Sequence, residues 1–488
     1  MGSQVFESRQ PAEDGRRAGR AGARELLGTV GALILLSLAV HAPVLRLVQE
    51  DPGRATPPGD SQQYQTLAQN LLDHHVFSLD ESPPFTLDVM RTPGYPLLLA
   101  ALYFLGGHSM LVVALAQAAL QTLGAFLLIG IAQRVLKSRA AGWVAAVLWL
   151  LAPLPTVLSG VVLTDILFTT LLLLTLWLSA RELSWLNALL AGLFLGLALV
   201  TRPIAELLIP WVILMILLHQ PFRSALVKLL PLALGAAIAT GPWLAYTSAQ
   251  FRTPILSTIG ADNLAFYTSA SIVAHEQGIG FSKGSDQVHA LYQRRLAQFQ
   301  ATHASPATPI QQAALESQIA YRIILAHPLE SAWFNLVDSF GTLRPGVSYI
   351  VQFLVPGRLP EVVAPGSDLS PALGALGQPL VLGVTAALLL FYVPLYAASA
   401  LGLLWLFWKK RWQALVALGL PSAILFYAPG ASGDGRFRVP FEPLLCLLAS
   451  AMTLEVIRAV RSRKQGRPSG PPGAPFLRRS PSRGGEAT

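Results

Sequence analysis

The chain has a single cysteine, Cys446, inside an apolar run, so neither a disulfide framework nor a cysteine-based metal site can be built. Charge is scarce too. Asp, Glu, Lys and Arg make up 12% of 488 residues, against 53% hydrophobic residues and a mean hydropathy of +0.52, too much apolar surface for a soluble globule. There is no glycine-rich nucleotide-binding loop and no fixed-period repeat. The apolar runs lack the strict alternation of a membrane barrel. They are about 15 to 29 residues long and bounded by Gly, Pro and charges, which is the length a helix needs to cross roughly 30 Å of hydrocarbon.

A formal charge of +9 could point to nucleic acid, so its placement matters more than its size. The basic residues are not a patch interleaved with aromatics. They fall in the N-terminal stretch (Arg9, Arg16, Arg17, Arg20, Arg24), in short turns (Arg134, Lys137 and Arg139; Arg181; Arg223 and Lys228; Lys409, Lys410 and Arg411) and in the tail from Arg458 to Arg483. With the N-terminus in the cytoplasm and sides alternating, every one of these turns falls inside, as the positive-inside bias predicts. The partner is therefore membrane lipid, with no nucleic acid.

Residues 1–25 read as a disordered cytoplasmic N-terminus. The first span covers about 26–44. A cleaved signal peptide is the competing reading, disfavoured by the long basic lead and by Pro43, so an uncleaved anchor is expected. The first outer loop runs from 45 to 93, or to 109 where the 13-residue apolar stretch 94–106 lies at the interface instead of crossing. Further spans lie at about 110–136, 141–159, 161–180, 186–200, 204–218 and 226–247, completing an N-terminal transmembrane core over 26–247. Residues 248–378 form one large extracytoplasmic segment with helical periodicity in 286–303, 310–326 and 328–342. Ile319, Ile323 and Ala326, and likewise Trp333, Leu336 and Phe340, recur there at helical spacing and read as packing stripes. The C-terminal membrane part, 379–457, holds spans at about 380–408, 412–429 and 437–457, and 458–488 reads as a disordered cytoplasmic tail. The fold class is an all-α polytopic membrane protein with about ten or eleven transmembrane helices, large extracytoplasmic loops and both termini cytoplasmic. High Ala, Leu, Arg and Gly usage without disulfides suits a bacterial inner membrane.

Ionisable residues at spans are costly and mark function by default. The set is short: Asp165, Arg202 and Glu206, then Asp434, Arg436, Arg438 and Glu442. All fall at outer ends of spans, on the same side as Asp60 in Gly59-Asp60-Ser61-Gln62-Gln63-Tyr64 and Arg91 in Arg91-Thr92-Pro93-Gly94-Tyr95-Pro96-Leu97. Each has a plain alternative: a solvated turn acid for Asp60, a helix cap for Asp165, a snorkelling cation for Arg202. Convergence of acids and arginines on one face from four distant parts of the chain favours a site that needs both a base and an anion clamp.

These residues resemble the GT-C superfamily of membrane glycosyltransferases, in particular the family 39-like branch with protein O-mannosyltransferases and bacterial aminoarabinose transferases. The resemblance rests on Asp60 with Tyr64 and Leu67-Ala68, the Arg91 to Leu97 run, Asp165, Arg202-Pro203 and Arg436-Phe437-Arg438-Val439-Pro440. It implies transfer of a sugar from a polyprenyl-phosphate donor to a hydroxyl of a lipid, glycan or protein acceptor on the extracytoplasmic face. Asp60 and Asp165 are then the candidate catalytic acids, Asp60 as general base. Arg91, Arg202, Arg436 and Arg438 are candidates for the donor phosphate, and Tyr64, Tyr95, Glu206, Asp434 and Glu442 for substrate. No cofactor is fixed by the resemblance; a divalent cation is left open, since many relatives carry Asp-Glu where this chain has Asp60-Ser61. A transporter or lipid flippase, and a lipid-linked oligosaccharide ligase or polymerase, are the alternative readings.

Overall fold

A computed structural model describes residues 10–180, 183–303, 305–356 and 378–464. The first nine residues, the Arg181 turn, residues 357–377 of the long segment and the tail from 465 lie outside them. The described residues are helical throughout apart from turns, with one isolated antiparallel bridge between Ser78 and Leu87.

The helices are α1 (Gln10–Glu50), α2 (Asp60–Asp73), α3 (Gly94–Gly106), α4 (Met110–Val135), α5 (Arg139–Leu151), α6 (Pro153–Leu158), α7 (Asp165–Ser179), α8 (Trp185–Leu199), α9 (Ile209–His219) and α10 (Phe222–Phe251). A layer of shorter helices follows: α11 (Ile259–Asn263), α12 (Ala270–Gln277), α13 (Phe281–Thr302), α14 (Pro309–Ala326), α15 (Pro328–Ser339) and α16 (Val347–Leu354). The chain closes with α17 (Gln378–Trp408), α18 (Trp412–Tyr427) and α19 (Glu442–Lys464). Among the described residues four helical stretches, Glu25–Glu50, α4, α10 and Pro379–Trp408, are long and apolar enough to cross a membrane, and six shorter apolar helices accompany them.

Two expectations change. Helix α1 begins at Gln10 and takes in residues assigned to a disordered lead. The span expected at 141–159 is two pieces, because Pro153 and Pro155 lack the N–H groups that would continue α5; α6 then ends in a turn, and α7 starts only at Asp165.

Helices α8 and α10 pack with their backbones almost touching. A Cβ added to Gly192 would stand 1.9 Å from the Leu232 carbonyl oxygen, and one on Gly235 would stand 2.0 Å from that of Leu189, so only glycine permits this crossing. The contact fixes α8, whose C-terminal end leads directly into Arg202. The main core runs through all the apolar helices, with Trp149 and Trp211 almost fully buried. Helices α12 to α14 bury a small core of their own around Phe266, Val288, Tyr292 and Ile319, against which Ile323 packs. The second stripe read as packing is not buried: Trp333 is 61% and Phe340 58% exposed.

Candidate active site

Five charged side chains from five separate stretches form one alternating chain. Arg91 donates through Nη2 to Asp60 Oδ1 at 2.5 Å, and Asp60 Oδ2 accepts from Arg436 Nη1 at 2.8 Å. Arg436 Nε donates to Asp165 Oδ2 at 2.8 Å, and Asp165 Oδ1 accepts from Arg202 Nη1 at 2.6 Å. Both oxygens of both carboxylates are thus taken by guanidinium groups. Three positive charges face two negative ones, leaving one positive charge in excess along this chain.

Local sequence explains how each member is held. Asp60 opens α2, where an acid in the first turn suits the helix dipole, and Gly59 supplies the φ of +98° that turns the loop into the helix. In the Arg91 run, Thr92 Oγ1 donates to the Thr201 carbonyl at 3.0 Å and Gly94 N to the Val200 carbonyl at 2.6 Å. Gly94 has no room for a Cβ, which would meet the Val200 oxygen at 2.6 Å. The Arg91 loop is therefore bolted to the end of α8 that carries Arg202. Arg436 stands in a short 3-10 turn capped by Asp434, whose Oδ1 accepts from the Arg436 N–H at 2.9 Å. Gly435 lets this turn dock on the 344–346 backbone, since a Cβ there would lie 2.6 Å from the Arg344 oxygen.

Aromatic rings frame the charges. The Arg91 guanidinium lies 5.4 Å from the Tyr64 ring, which meets Tyr95 edge-on at 5.2 Å. Arg202 lies between Phe437 and Phe168, at 5.4 and 5.8 Å from their centroids. The buried Tyr95 hydroxyl donates to Gln117 Oε1 at 3.1 Å, while Gln117 Nε2 donates to the Ser159 and Val161 carbonyls at 3.0 and 2.7 Å.

Arg438 and Glu442 stand apart from this group. They pair with each other at 3.1 Å, fully buried, with Arg438 stacked 3.8 Å from the Tyr392 ring and donating to the Thr342 and Arg344 carbonyls. Glu206 is exposed on the turn between α8 and α9 and has no ion pair among the described residues. The network therefore gathers Asp60, Arg91, Asp165, Arg202 and Arg436, with Tyr64, Tyr95 and Asp434 beside it. Gln63, which accepts from Arg91 Nε at 2.8 Å, and Tyr349, which donates to Asp434 Oδ2 at 2.6 Å, were not singled out from the sequence. Gln63 sits within the Asp60 motif and could have been found there; Tyr349 carries no local signal.

Burial alone would raise the pKa of Asp60, but the guanidiniums of Arg436 and Arg91 outweigh it and hold the carboxyl well below its usual range. For Asp434 burial wins, against the Tyr349 hydrogen bond and Arg436, and the carboxyl is pushed up. Among the described residues no three His, Cys, Asp or Glu side chains converge as a metal-holding group. Every carboxylate oxygen of Asp60 and Asp165 is instead held by an arginine.

A cleft of about 230 Å³ opens beside the network, with Asp60, Ser61 and Arg436 at its polar end and Tyr349, Gln352 and Phe353 of α16 along one wall. Arg54 ties the two sides together by donating to the Phe353 and Leu354 carbonyls at 2.7 Å each.

Among solved structures, the chain is similar to the archaeal oligosaccharyltransferase AglB from Archaeoglobus fulgidus in complex with an inhibitory peptide and a dolichol-phosphate (13% identity, TM-score 0.46, covering 88% of this chain and 51% of that one). It is also similar to ArnT from Cupriavidus metallidurans bound to undecaprenyl phosphate (13% identity, TM-score 0.43, covering 90% and 80%). The chain thus spans about half the length of the archaeal enzyme. No curated protein matches its sequence. Residues 90–246 match the family model described as dolichyl-phosphate-mannose-protein mannosyltransferase, a segment that includes Arg91, Asp165 and Arg202, and over that segment the chain resembles the GT-C membrane glycosyltransferases.

Proposed function

We propose that this protein is a membrane glycosyltransferase that moves a sugar from a polyprenyl-phosphate donor to a hydroxyl of a lipid, glycan or protein acceptor. The observation that carries the proposal is the alternating chain Arg91–Asp60–Arg436–Asp165–Arg202 beside an open cleft, with its one positive charge in excess. A singly charged phosphodiester is the ligand that balances it. The family description over residues 90–246, which names a polyprenyl-phosphate sugar, supports the same donor class.

In the proposed reaction the acceptor enters the cleft and its hydroxyl proton passes to the Asp60 carboxylate. The acceptor oxygen forms the bond to the anomeric carbon, and the carbon–oxygen bond to the phosphate breaks, with the electron pair leaving on the polyprenyl phosphate. Arg91, Arg202 and Arg436 neutralise that leaving anion. As it stands, Asp60 is a weak base, because two guanidiniums stabilise its charged form. A phosphate that draws Arg91 or Arg436 toward itself relieves Asp60 of a partner and restores its basicity when the donor is in place. Asp165 keeps Arg436 and Arg202 oriented during the exchange.

The site is assigned to the extracytoplasmic side of a bacterial inner membrane, with both termini cytoplasmic, on the distribution of Lys and Arg. Purified protein offered a panel of polyprenyl-phosphate sugars should release free polyprenyl phosphate from at least one of them. Failure to consume any donor in the presence of mixed lipid, glycan and peptide acceptors would overturn the proposal. Reporter fusions after Gln250 and in the 460s test the orientation, and opposite sides for the two terminal tails would refute it.

A further inference from the structure

Helix α15 carries an apolar face that nothing in the described structure covers. Leu329 is 84% exposed, Trp333 61%, Val337 41% and Phe340, just past its end, 58%. At about 100° per residue these positions share one stripe. Two other sides of the helix are occupied, while Glu330 and Ala332 at its margins are exposed. Phe334 stacks on His275 of α12 at 4.4 Å, and Asp338 accepts from Ser271 of α12, so one side rests on the small core of α12 to α14. A second side faces the end of α18: Asn335 Nδ2 donates to the Tyr427 carbonyl at 3.0 Å, Ser339 Oγ to the same oxygen at 3.1 Å, and the Tyr427 hydroxyl to the Ala332 carbonyl at 3.4 Å. The stripe is what remains, turned away from α12.

Its continuation identifies the occupant. Phe340 meets Phe426 of α18 edge-on at 5.3 Å, so the stripe runs without a polar break onto an apolar helix of the bundle. Tyr321 and Leu325, at the end of α14, are exposed as well. A tryptophan, a tyrosine, a phenylalanine and leucines beside the end of an apolar helix are the composition that settles at the boundary between headgroups and acyl chains.

We infer that α15 is an interfacial helix whose Leu329, Trp333, Val337 and Phe340 face rests in the lipid surface around α18. The helix also sets the height of the catalytic loop. Asn335 lies directly against Gly430, where a Cβ would come within 1.8 Å of its Oδ1, and the turn with Asp434 and Arg436 follows a few residues later. Anchoring α15 in lipid therefore holds Arg436 at a fixed depth beside the bilayer.

The test uses full-length protein in lipid nanodiscs, with the buried Cys446 replaced by alanine and a nitroxide placed in turn at Leu329→Cys, Trp333→Cys and, as a water-facing reference, Gln298→Cys on α13. Relaxation by dissolved oxygen and by a water-soluble nickel chelate reports the depth of each label. Labels at 329 and 333 should be several-fold less accessible to nickel, and more accessible to oxygen, than the label at 298. Equal nickel accessibility at all three positions would put the stripe in water and overturn the inference. Dipolar broadening between labels at 333 on two copies would assign the face to a second chain. A cross-link from position 333 to residues 357–377 would assign it to that segment. Either result also overturns the inference. None of these readings depends on donor turnover, so the outcome is separate from that of the proposed activity.

Discussion

Asp60 and Asp165 hold the two ends of one guanidinium, that of Arg436, each at 2.8 Å. The two acids do not bond to each other; the arginine sets their separation. A side chain that bridges two carboxylates through different nitrogens is using the planar fork as well as the charge, and lysine cannot reproduce it.

Arg436→Lys is accordingly expected to lower donor turnover by about 100-fold, the scale on which mispositioning a reacting group acts. Arg438→Lys should behave differently, because Arg438 is sealed in its own pair with Glu442 against Tyr392. Its cost should fall on thermal stability, by roughly 3–5 kcal/mol if the buried pair is broken outright, with little change in donor affinity. Binding of a polyprenyl phosphate to the two purified variants separates these outcomes. Equal loss of donor affinity in both would place Arg438 in the clamp.

Asp60→Asn should reduce turnover by roughly 100-fold or more, a typical contribution of a general base. It should also tighten phosphate binding, since an amide competes for Arg91 and Arg436 less well than a carboxylate does. The pH dependence follows from the lowered pKa. A depressed acid contributes stability that is present above its unfolded pKa of about 3.9 and is lost as pH falls through the folded value. The difference in melting temperature between parent and Asp60→Asn should therefore be flat from neutral pH down to about pH 5 and shrink only below the ordinary carboxylate range. A difference that closes between pH 5 and 7 would show that the arginines do not hold Asp60.

Glu316, on α14, gives the opposite sign. Burial first, and Asp262 second, push its carboxyl up to about 7. A raised acid destabilises the fold once it ionises, so this cost should grow as pH rises from the unfolded value, about 4.3, through 7. Glu316→Gln should leave the melting temperature nearly unchanged at about pH 4 and raise it above that of the parent at pH 8.5. Identical pH profiles for parent and variant would exclude the buried environment.

Gly192→Ala tests the α8–α10 crossing. With the Leu232 oxygen 1.9 Å from the new Cβ and backbone on both sides, the helices must move apart. Such overpacking costs about 1–3 kcal/mol. Because α8 carries Arg202 at its end, donor turnover should fall along with the melting temperature. Gly241→Ala, inside the same helix with nothing within 4 Å, is the control: donor turnover should be unchanged and the melting temperature should hold or rise slightly, as helix propensity favours alanine.

Much of the site was legible because charge is so rare in this chain: an arginine or acid at the edge of an apolar run stands out, and five of the residues flagged that way form the network. Rarity could not distinguish a ligand-facing ion from a structural one. Arg436 and Arg438 are two residues apart and look alike in sequence, yet a 3-10 turn points one at Asp60 and the other at Tyr392. Nor could periodicity tell what a stripe faces. Ile319 and Trp333 both recur at helical spacing, but one is buried in protein and the other is exposed. The break at Pro153 is hidden in the sequence because the apolar run continues through it.

Away from the ions the surrounding helices are secured differently. Gln117 holds Tyr95 and the Ser159 and Val161 carbonyls through neutral hydrogen bonds inside the protein, and the Val162 N–H reaches the Ala55 carbonyl at 2.8 Å. Dissolved salt screens exposed charges, acts much less on partly buried pairs, and leaves buried neutral hydrogen bonds untouched. Asp60, a third exposed, is therefore the end of the lattice that solvent reaches, whereas Arg436, Asp165 and the Gln117 hydrogen bonds lie out of its reach. Under the proposed reaction a donor phosphate exchanges partners only with the arginines, and the Gln117 hydrogen bonds take no part in that exchange.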